Sequence, residues 1–240
     1  MFGNKLVTLV ILCLFSVSLR AETLQILTYE ESPFALRVGK THKGLLVDML
    51  KELFSRTELQ YELSFIPLKR AIITTERMPG HCVLPVARSQ EREASFHWIS
   101  PVLVSRYGLY SSDSERIPLT TLSDAKPYKI GSFLGSGIGE YLKELGFNVE
   151  LASVSAQNLR KLKRSRIELW AAELISAQEQ MHQQAINFGA PELVFYTSLR
   201  AMACNIEMPN EQIKILEQAL NSMYRDGYMS ALYLEYGVEI

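Results

Sequence analysis

PLKRAIITTERMPGHCVLPVARSQEREASFHWISP, residues 67–101, is the stretch whose reading decides the fold. Pro67 is a natural entry to a helix, because its missing N–H is one the first turn leaves unpaired anyway. Ala71, Ile72 and Ile73 ride on that helix, and Pro79-Gly80 ends it. CVLPVA, residues 82–87, is a short apolar run that reads as a buried strand. It runs into a polar turn, RSQERE, and then an aromatic run ending in Ser100-Pro101. A strand that ends in such a turn can aim an arginine, and the guanidinium of Arg92 offers carboxylate a two-point fork that lysine cannot. Arg88, Glu91, Arg92 and Glu93 read equally as a solvated charged turn, and the turn alone does not separate the two.

Working outward, residues 24–29 alternate as a strand, and 30–34 break it into a loop. Gly44 precedes a helix over 45–56, where Leu46, Met49, Leu50, Leu53 and Phe54 fall at helical spacing. Residues 61–66 alternate again, and 106–110 form the strand after 82–87. The resulting β-α-β-α-β order predicts an α/β fold with a mostly parallel sheet and helices on its faces. Residues 111–115 are polar and turn-rich, which reads as a hinge or linker. A second unit follows, with a strand at 128–131 and a glycine-rich turn at 135–139 that opens a helix over 140–145. Then come a strand at 148–151, a helix at 158–163 with a basic face, a strand at 167–172 ending at Glu173, and a helix at 177–184. Residues 193–196 and 199–204 read as two strands. An amphipathic helix over 210–225 places Ile213, Leu216, Leu220 and Tyr224 on one face. Asp226-Gly227 stops it, and a terminal helix spans 228–236.

The first 21 residues read as a leader rather than as part of the fold. Lys5 sits near the start, residues 6–19 are apolar, and a cleavage site follows Ala21 or Ser18, the layout of a secretory signal peptide. The run falls short of the roughly 20 residues of a membrane span; an uncleaved N-terminal anchor is the other reading. The protein is therefore expected to be exported. The whole chain carries 25 Lys and Arg against 26 Asp and Glu. That balance gives no electrostatic case for nucleic acid or an anionic membrane. Cys82 and Cys204 lie outside the leader, in a compartment that permits disulfides; a disulfide and two buried thiols both remain open. The four histidines are scattered and there is no CxxC, so neither a metal site nor a cofactor is indicated.

In this order the pieces resemble the family 3 extracellular solute-binding proteins of polar amino-acid transport. Ser32-Pro33-Phe34 is similar to that family's PPF loop, and residues 44–50 to its G-x-x-x-D-L helix start. Residues 67–71 resemble the PWxRA of one branch. Ser89-Gln90-Glu91-Arg92 is similar to the T-x-x-R turn, and Ser100-Pro101 to the S-P after it. Gly135-Ser136 resembles the GS of the second lobe, and residues 224–228 the closing helix-D-G-x pattern. The resemblance implies a two-lobed type II periplasmic binding protein fold, with mixed, mostly parallel sheets and two hinge strands. It places lobe 1 at 22–110 and 198–240 and lobe 2 at 111–197, with ligand trapped between them by hinge closure.

The resemblance also implies a site. Arg92 is expected to fork onto a ligand carboxylate, with backbone N–H groups at Ser136 and Gly137 completing the hold; the alternative for Ser136 is a simple N-cap. Glu173 is expected to pair with a ligand ammonium, and Glu168, five residues earlier, to be structural. Tyr29, Glu31 and Phe34 are expected to line the cleft, although Phe34 reads equally as core. Arg70, at the first turn of its helix, is a further candidate. Leu84, Pro85 and Ala87 stand where amino-acid binders carry small hydroxyl residues, and Pro85 has no N–H to donate. The carboxylate half of the site is thus better kept than the ammonium half. The function implied is capture of a small carboxylate-bearing ligand, an amino acid or relative, by a monomer serving an ABC permease or a membrane sensor. An enzyme resembling the cyclohexadienyl dehydratases, with Glu173 as general acid, is the alternative from another class. A ligand-free protein that docks a partner through the basic run 161–166 is a third.

Overall fold

The structure, a computed structural model, describes residues 23–238; the expected leader at 1–21 lies outside the described residues. The chain runs β1 (Leu24–Thr28), β2 (Leu36–Val38), β3 (Thr41–Lys43), α1 (Leu45–Ser55), β4 (Tyr61–Phe65), α2 (Leu68–Arg77), β5 (His81–Ala87) and β6 (Phe96–Tyr110). It continues through β7 (Ile130–Phe133), α3 (Ile138–Glu144), β8 (Val149–Ala152), α4 (Ala156–Lys163), β9 (Leu169–Glu173) and α5 (Leu174–Gln183). It closes with β10 (Leu193–Asn205), α6 (Asn210–Arg225) and α7 (Tyr228–Glu235). The sheet order is β4-β1-β5-β10-β6-β9-β7-β8. Within this sheet the pairs outside β10 and β6 are parallel, as β-α-β order requires, whereas β10 pairs antiparallel with β5 and β6, and β6 with β9. β6 and β10 are the two long strands that join the halves of a two-lobed α/β molecule.

Period-2 alternation sends one strand into two cores. Leu24 and Ile26 of β1 pack with Met49 and Leu53 of α1 and with Leu216 and Met223 of α6. Leu27 and Tyr29 point the other way, onto Ala71 of α2, Val83 of β5 and Phe133 of β7. Each large aliphatic side chain so buried contributes about 1.5–3 kcal/mol. Two further cores flank the second half of the sheet, one around Ile130, Leu142 and Leu169, the other around Leu159, Trp170 and Phe188. The motif residues brace this frame. Asp48 accepts a hydrogen bond from Tyr236 Oη at 2.6 Å, and Asp226 pairs with Arg56 at 2.5 Å. Gly44 has φ 116°, and a Cβ there would lie 2.5 Å from the Phe34 carbonyl oxygen, so glycine is what lets α1 begin against that loop.

Two sequence readings are corrected. Residues 193–196 and 199–204 are one strand, β10, because β6 supplies a continuous partner through the polar Thr197 and Ser198 that interrupt the apolar pattern. The aromatic run before Ser100-Pro101 likewise belongs to the same strand as 106–110. The hairpin β2–β3 went unread, although Gly39 at φ 62° marks its turn. Cys82 and Cys204 face each other across β5 and β10 and form a disulfide.

Candidate functional site

Register places the site on one face of the sheet. Side chains alternate along each strand, and cross-strand partners share a face. Tyr196, Ser198 and Arg200 of β10 follow one another at intervals of two, Arg200 is opposite Ala87 of β5, Tyr196 is opposite Tyr107 of β6, and Tyr107 is opposite Glu173 of β9. Ala87, Tyr107, Tyr196 and Ser198 form the floor of a cleft between the halves, while Arg200 and Glu173 are buried beneath it. A cavity of about 500 Å³ opens on this floor, lined by Ala87, Arg92, Tyr107, Ser136, Gly137, Tyr141, Tyr196 and Ser198 among others.

Arg92 enters that cavity from the turn after β5 and is half-buried. Its Nη1 donates to the Ala87 carbonyl and its Nη2 to the Gly135 carbonyl, both at 3.4 Å, so it touches both halves of the molecule. These bonds are long, and carboxylate is a stronger acceptor for a guanidinium than a carbonyl. Gly137, at φ 83°, lies close by: a Cβ there would be 3.2 Å from Ala87 Cβ and 3.6 Å from Arg92 Nη1. The tyrosines make the other wall, with ring centroids 4.9 Å apart for Tyr141 and Tyr196 and 6.1 Å apart for Tyr107 and Tyr196.

The amides expected to complete the carboxylate hold are already engaged. Gly137 N–H donates to Glu140 at 3.1 Å, as does Gly135 N–H. Ser136 N–H donates to the Phe133 carbonyl at 3.2 Å, and its hydroxyl donates to the same oxygen at 2.7 Å. Glu140 is the third residue of α3 and closes its own helix start, so Ser136 and Gly137 line the cavity without presenting free donors.

The most buried chemistry is centred on a residue the sequence reading missed. Arg200 is 3% exposed, and its Nη2 lies 2.7 Å from Glu31 Oε2. The same nitrogen donates to Tyr29 Oη, and Tyr29 in turn donates to the Pro85 carbonyl at 3.1 Å. Pro85 explains that acceptor: lacking an N–H, it breaks the ladder, and the β5–β10 register slips between Ala201 and Ala203 beside it. The guanidinium also lies 5.9 Å from the Phe34 ring. Arg200 Nη1 is buried with no hydrogen-bond partner. Burial works most strongly against the charge of Arg200, but Glu31, Tyr29 and Tyr107 together outweigh it and keep the guanidinium protonated. Burial, chiefly, pushes Tyr29 and Tyr107 well above the ordinary phenol range. Sequence gave only a faint signal for Arg200: a lone arginine inside the apolar run LRAMAC.

The remaining candidates divide. Glu31 and Tyr29 belong to the Arg200 cluster, and Tyr29 also lines a second cleft cavity of about 190 Å³ with Phe133 and Pro67. Phe34 is fully buried in the core beside α1, which is the second of its two readings. Arg70 is exposed on α2 and lines neither cleft cavity, because the apolar face of that helix is carried by Leu68, Ala71 and Ile72. Glu173 is 4% exposed and caps α5, accepting from Ser176 N–H at 2.7 Å. Burial pushes its carboxyl up to about 7; the Ser176 amide and Arg200 pull against that, and Glu31 adds to it. Glu168 accepts from Lys129 N–H at 2.9 Å, a structural bond between β9 and the start of β7. Among the described residues no group of three His, Cys, Asp or Glu could hold a metal, and no helix is long and apolar enough to cross a membrane.

No family model matches this sequence. No curated protein matches it either. Solved structures do match. A histidine kinase sensor domain with similarity to periplasmic binding proteins superposes with TM-score 0.83 at 13% identity, over 90% of this chain and 96% of that one. An amino acid ABC transporter substrate-binding protein from Streptococcus pneumoniae bound to L-arginine gives 0.78 at 16% identity, over 89% and 94%. An ancestral amino-acid-binding protein, a precursor of cyclohexadienyl dehydratase, gives 0.76 at 15%, over 89% and 94%. Nearly the whole of each neighbour is matched. The chain has the two-lobed fold of the periplasmic amino-acid-binding proteins and their sensor-domain relatives.

Proposed function

We propose that this protein is a periplasmic binding protein that traps a small carboxylate-bearing ligand in the cleft between its halves and presents it to a membrane permease or sensor. The observation that carries this reading is Arg92. It stands half-buried at the wall of a 500 Å³ cavity, holding only two long bonds to carbonyls that a carboxylate would displace. The tyrosine wall opposite suits the body of a small organic ligand, and the fold shared with amino-acid-binding and sensor proteins supports the class. The proposed lobes are 22–110 with 198–240, and 111–197, moving about β6 and β10.

A thermal-shift screen over amino acids, polyamines and organic acids tests the reading. A ligand at about 100 times its Kd adds about 2.7 kcal/mol, so a carboxylate should raise Tm while a polyamine should not. Silence across every carboxylate would sink it. One observation favours a second reading, a dehydratase: Glu173 holds a proton near neutral pH, as a general acid must. Its burial and its bond to the Ser176 amide weigh against that role, and absence of turnover on arogenate and prephenate is the expected result.

A further inference from the structure

The cavity of about 500 Å³ is charged on its walls and uncharged on its floor. Its charged lining residues, Arg88, Glu91, Arg92, Glu140 and Glu144, all come from the turn after β5 or from α3. The floor strands present Ala87, Tyr107, Tyr196 and Ser198. Two of these carry buried hydroxyls that the fold itself barely uses. Tyr107 is 3% exposed; among the described residues its hydroxyl makes no hydrogen bond, and the oxygen is not sealed from solvent. Ser198 is 4% exposed and donates only to the carbonyl of the next residue, Leu199, at 3.3 Å. Register makes the two neighbours: Tyr107 is opposite Tyr196, and Ser198 lies two residues along from Tyr196 on the same face. Burial keeps the Tyr107 hydroxyl protonated, so it can donate as well as accept. Packing does not call for that hydroxyl, because the ring contact with Tyr196, at 6.1 Å, needs only a phenyl group.

We infer that Tyr107 contacts the ligand, its hydroxyl and that of Ser198 receiving a second, uncharged hydrogen-bonding group on an acid held by Arg92. This rests on the carboxylate-capture reading and narrows the ligand to an acid that also carries a hydroxyl or an amide. A ligand with a plain hydrocarbon body would cover both hydroxyls and leave them unpaired. Sites built to hydrogen-bond discriminate most strongly in that situation.

Calorimetric titration with acids matched in shape tests this: 5-amino-5-oxopentanoate against 5-methylhexanoate, 3-(4-hydroxyphenyl)propanoate against 3-(4-methylphenyl)propanoate, and 6-hydroxyhexanoate against heptanoate. In the pair that binds best, the polar acid should bind wild type about 5- to 150-fold more tightly than its apolar match. In Tyr107→Phe, which keeps the ring, that preference should fall at least about fivefold, while Tm without ligand stays at or above that of wild type. A wild-type preference below about fivefold in every pair, or one that survives Tyr107→Phe, overturns the inference and leaves carboxylate capture standing. A lower Tm for unliganded Tyr107→Phe overturns it too, because the hydroxyl would then be engaged within the fold. If no acid of any pair binds, carboxylate capture falls and this inference falls with it.

Discussion

Replacing Arg200 by methionine should destabilise the protein far more than losing one hydrogen bond. The side chain is 3% exposed and Glu31 is 9% exposed, with 2.7 Å between the paired atoms. Methionine refills much of the aliphatic volume, so the cost is the carboxylate left behind without its counter-charge. Breaking one side of a buried pair costs about 3–5 kcal/mol, a third or more of the stability of a typical domain. At about 2–4 °C per kcal/mol for a chain of this size, Tm should fall by about 6–20 °C. The pair itself has little net worth, because desolvation of both charges offsets their attraction. Glu31→Met combined with Arg200→Met should therefore recover to within about 1–2 kcal/mol of wild type. Urea unfolding of the two single variants and the double variant gives the cycle directly. A single Arg200→Met loss below about 1 kcal/mol, or a double variant no better than the single, would refute a buried ion pair beneath the cleft floor.

Three other outcomes follow from the same contacts. The Cys82–Cys204 bond closes a span of 122 residues, so reducing it or replacing both cysteines by alanine should lower unfolding stability by about 2–5 kcal/mol; equal urea midpoints with and without reductant would contradict this. Glu173 binds its proton up to about 7 in the folded state and only to about 4.5 when unfolded. Its contribution is thus most favourable below pH 4.5, erodes by about 3 kcal/mol between pH 4.5 and 7, and is flat above; Glu173→Gln should remove that slope from the pH dependence of urea unfolding. Gly137→Ala puts a Cβ at φ 83°, 3.2 Å from Ala87 Cβ. It should cost about 1–2 kcal/mol in backbone strain and weaken carboxylate binding, whereas Gly146→Ala, with open space around its Cβ, should leave binding unchanged.

Much of the fold was legible because the strands and helices that carry it are strongly patterned. The amphipathic stretch over 210–225 is α6, and the apolar run ending at Ala87 is β5, flanked as expected by α2 and the Arg92 turn. What escaped was non-local. β10 looked like two strands because Thr197 and Ser198 are polar, and only pairing with β6 makes them continuous. The site was half legible for the same reason. Arg92 and Glu31 announce themselves by their neighbours in sequence, but Arg200 becomes central only when β10 lies beside β5 and brings it to Glu31, 169 residues away. The amides of Ser136 and Gly137 pointed to a carboxylate from the Gly-Ser turn alone. Glu140, one helical turn on, already occupies Gly137 and Gly135.

The most direct test of the account is the carboxylate affinity of wild type against Arg92→Ala, measured by calorimetry with the acid that stabilises most in the thermal-shift screen. A charge-assisted fork contributes about 1.5–3 kcal/mol, so the variant should bind about 10- to 200-fold more weakly while its Tm without ligand stays close to that of wild type. Undiminished affinity in Arg92→Ala would contradict the account, because the carboxylate would then be held by some other group.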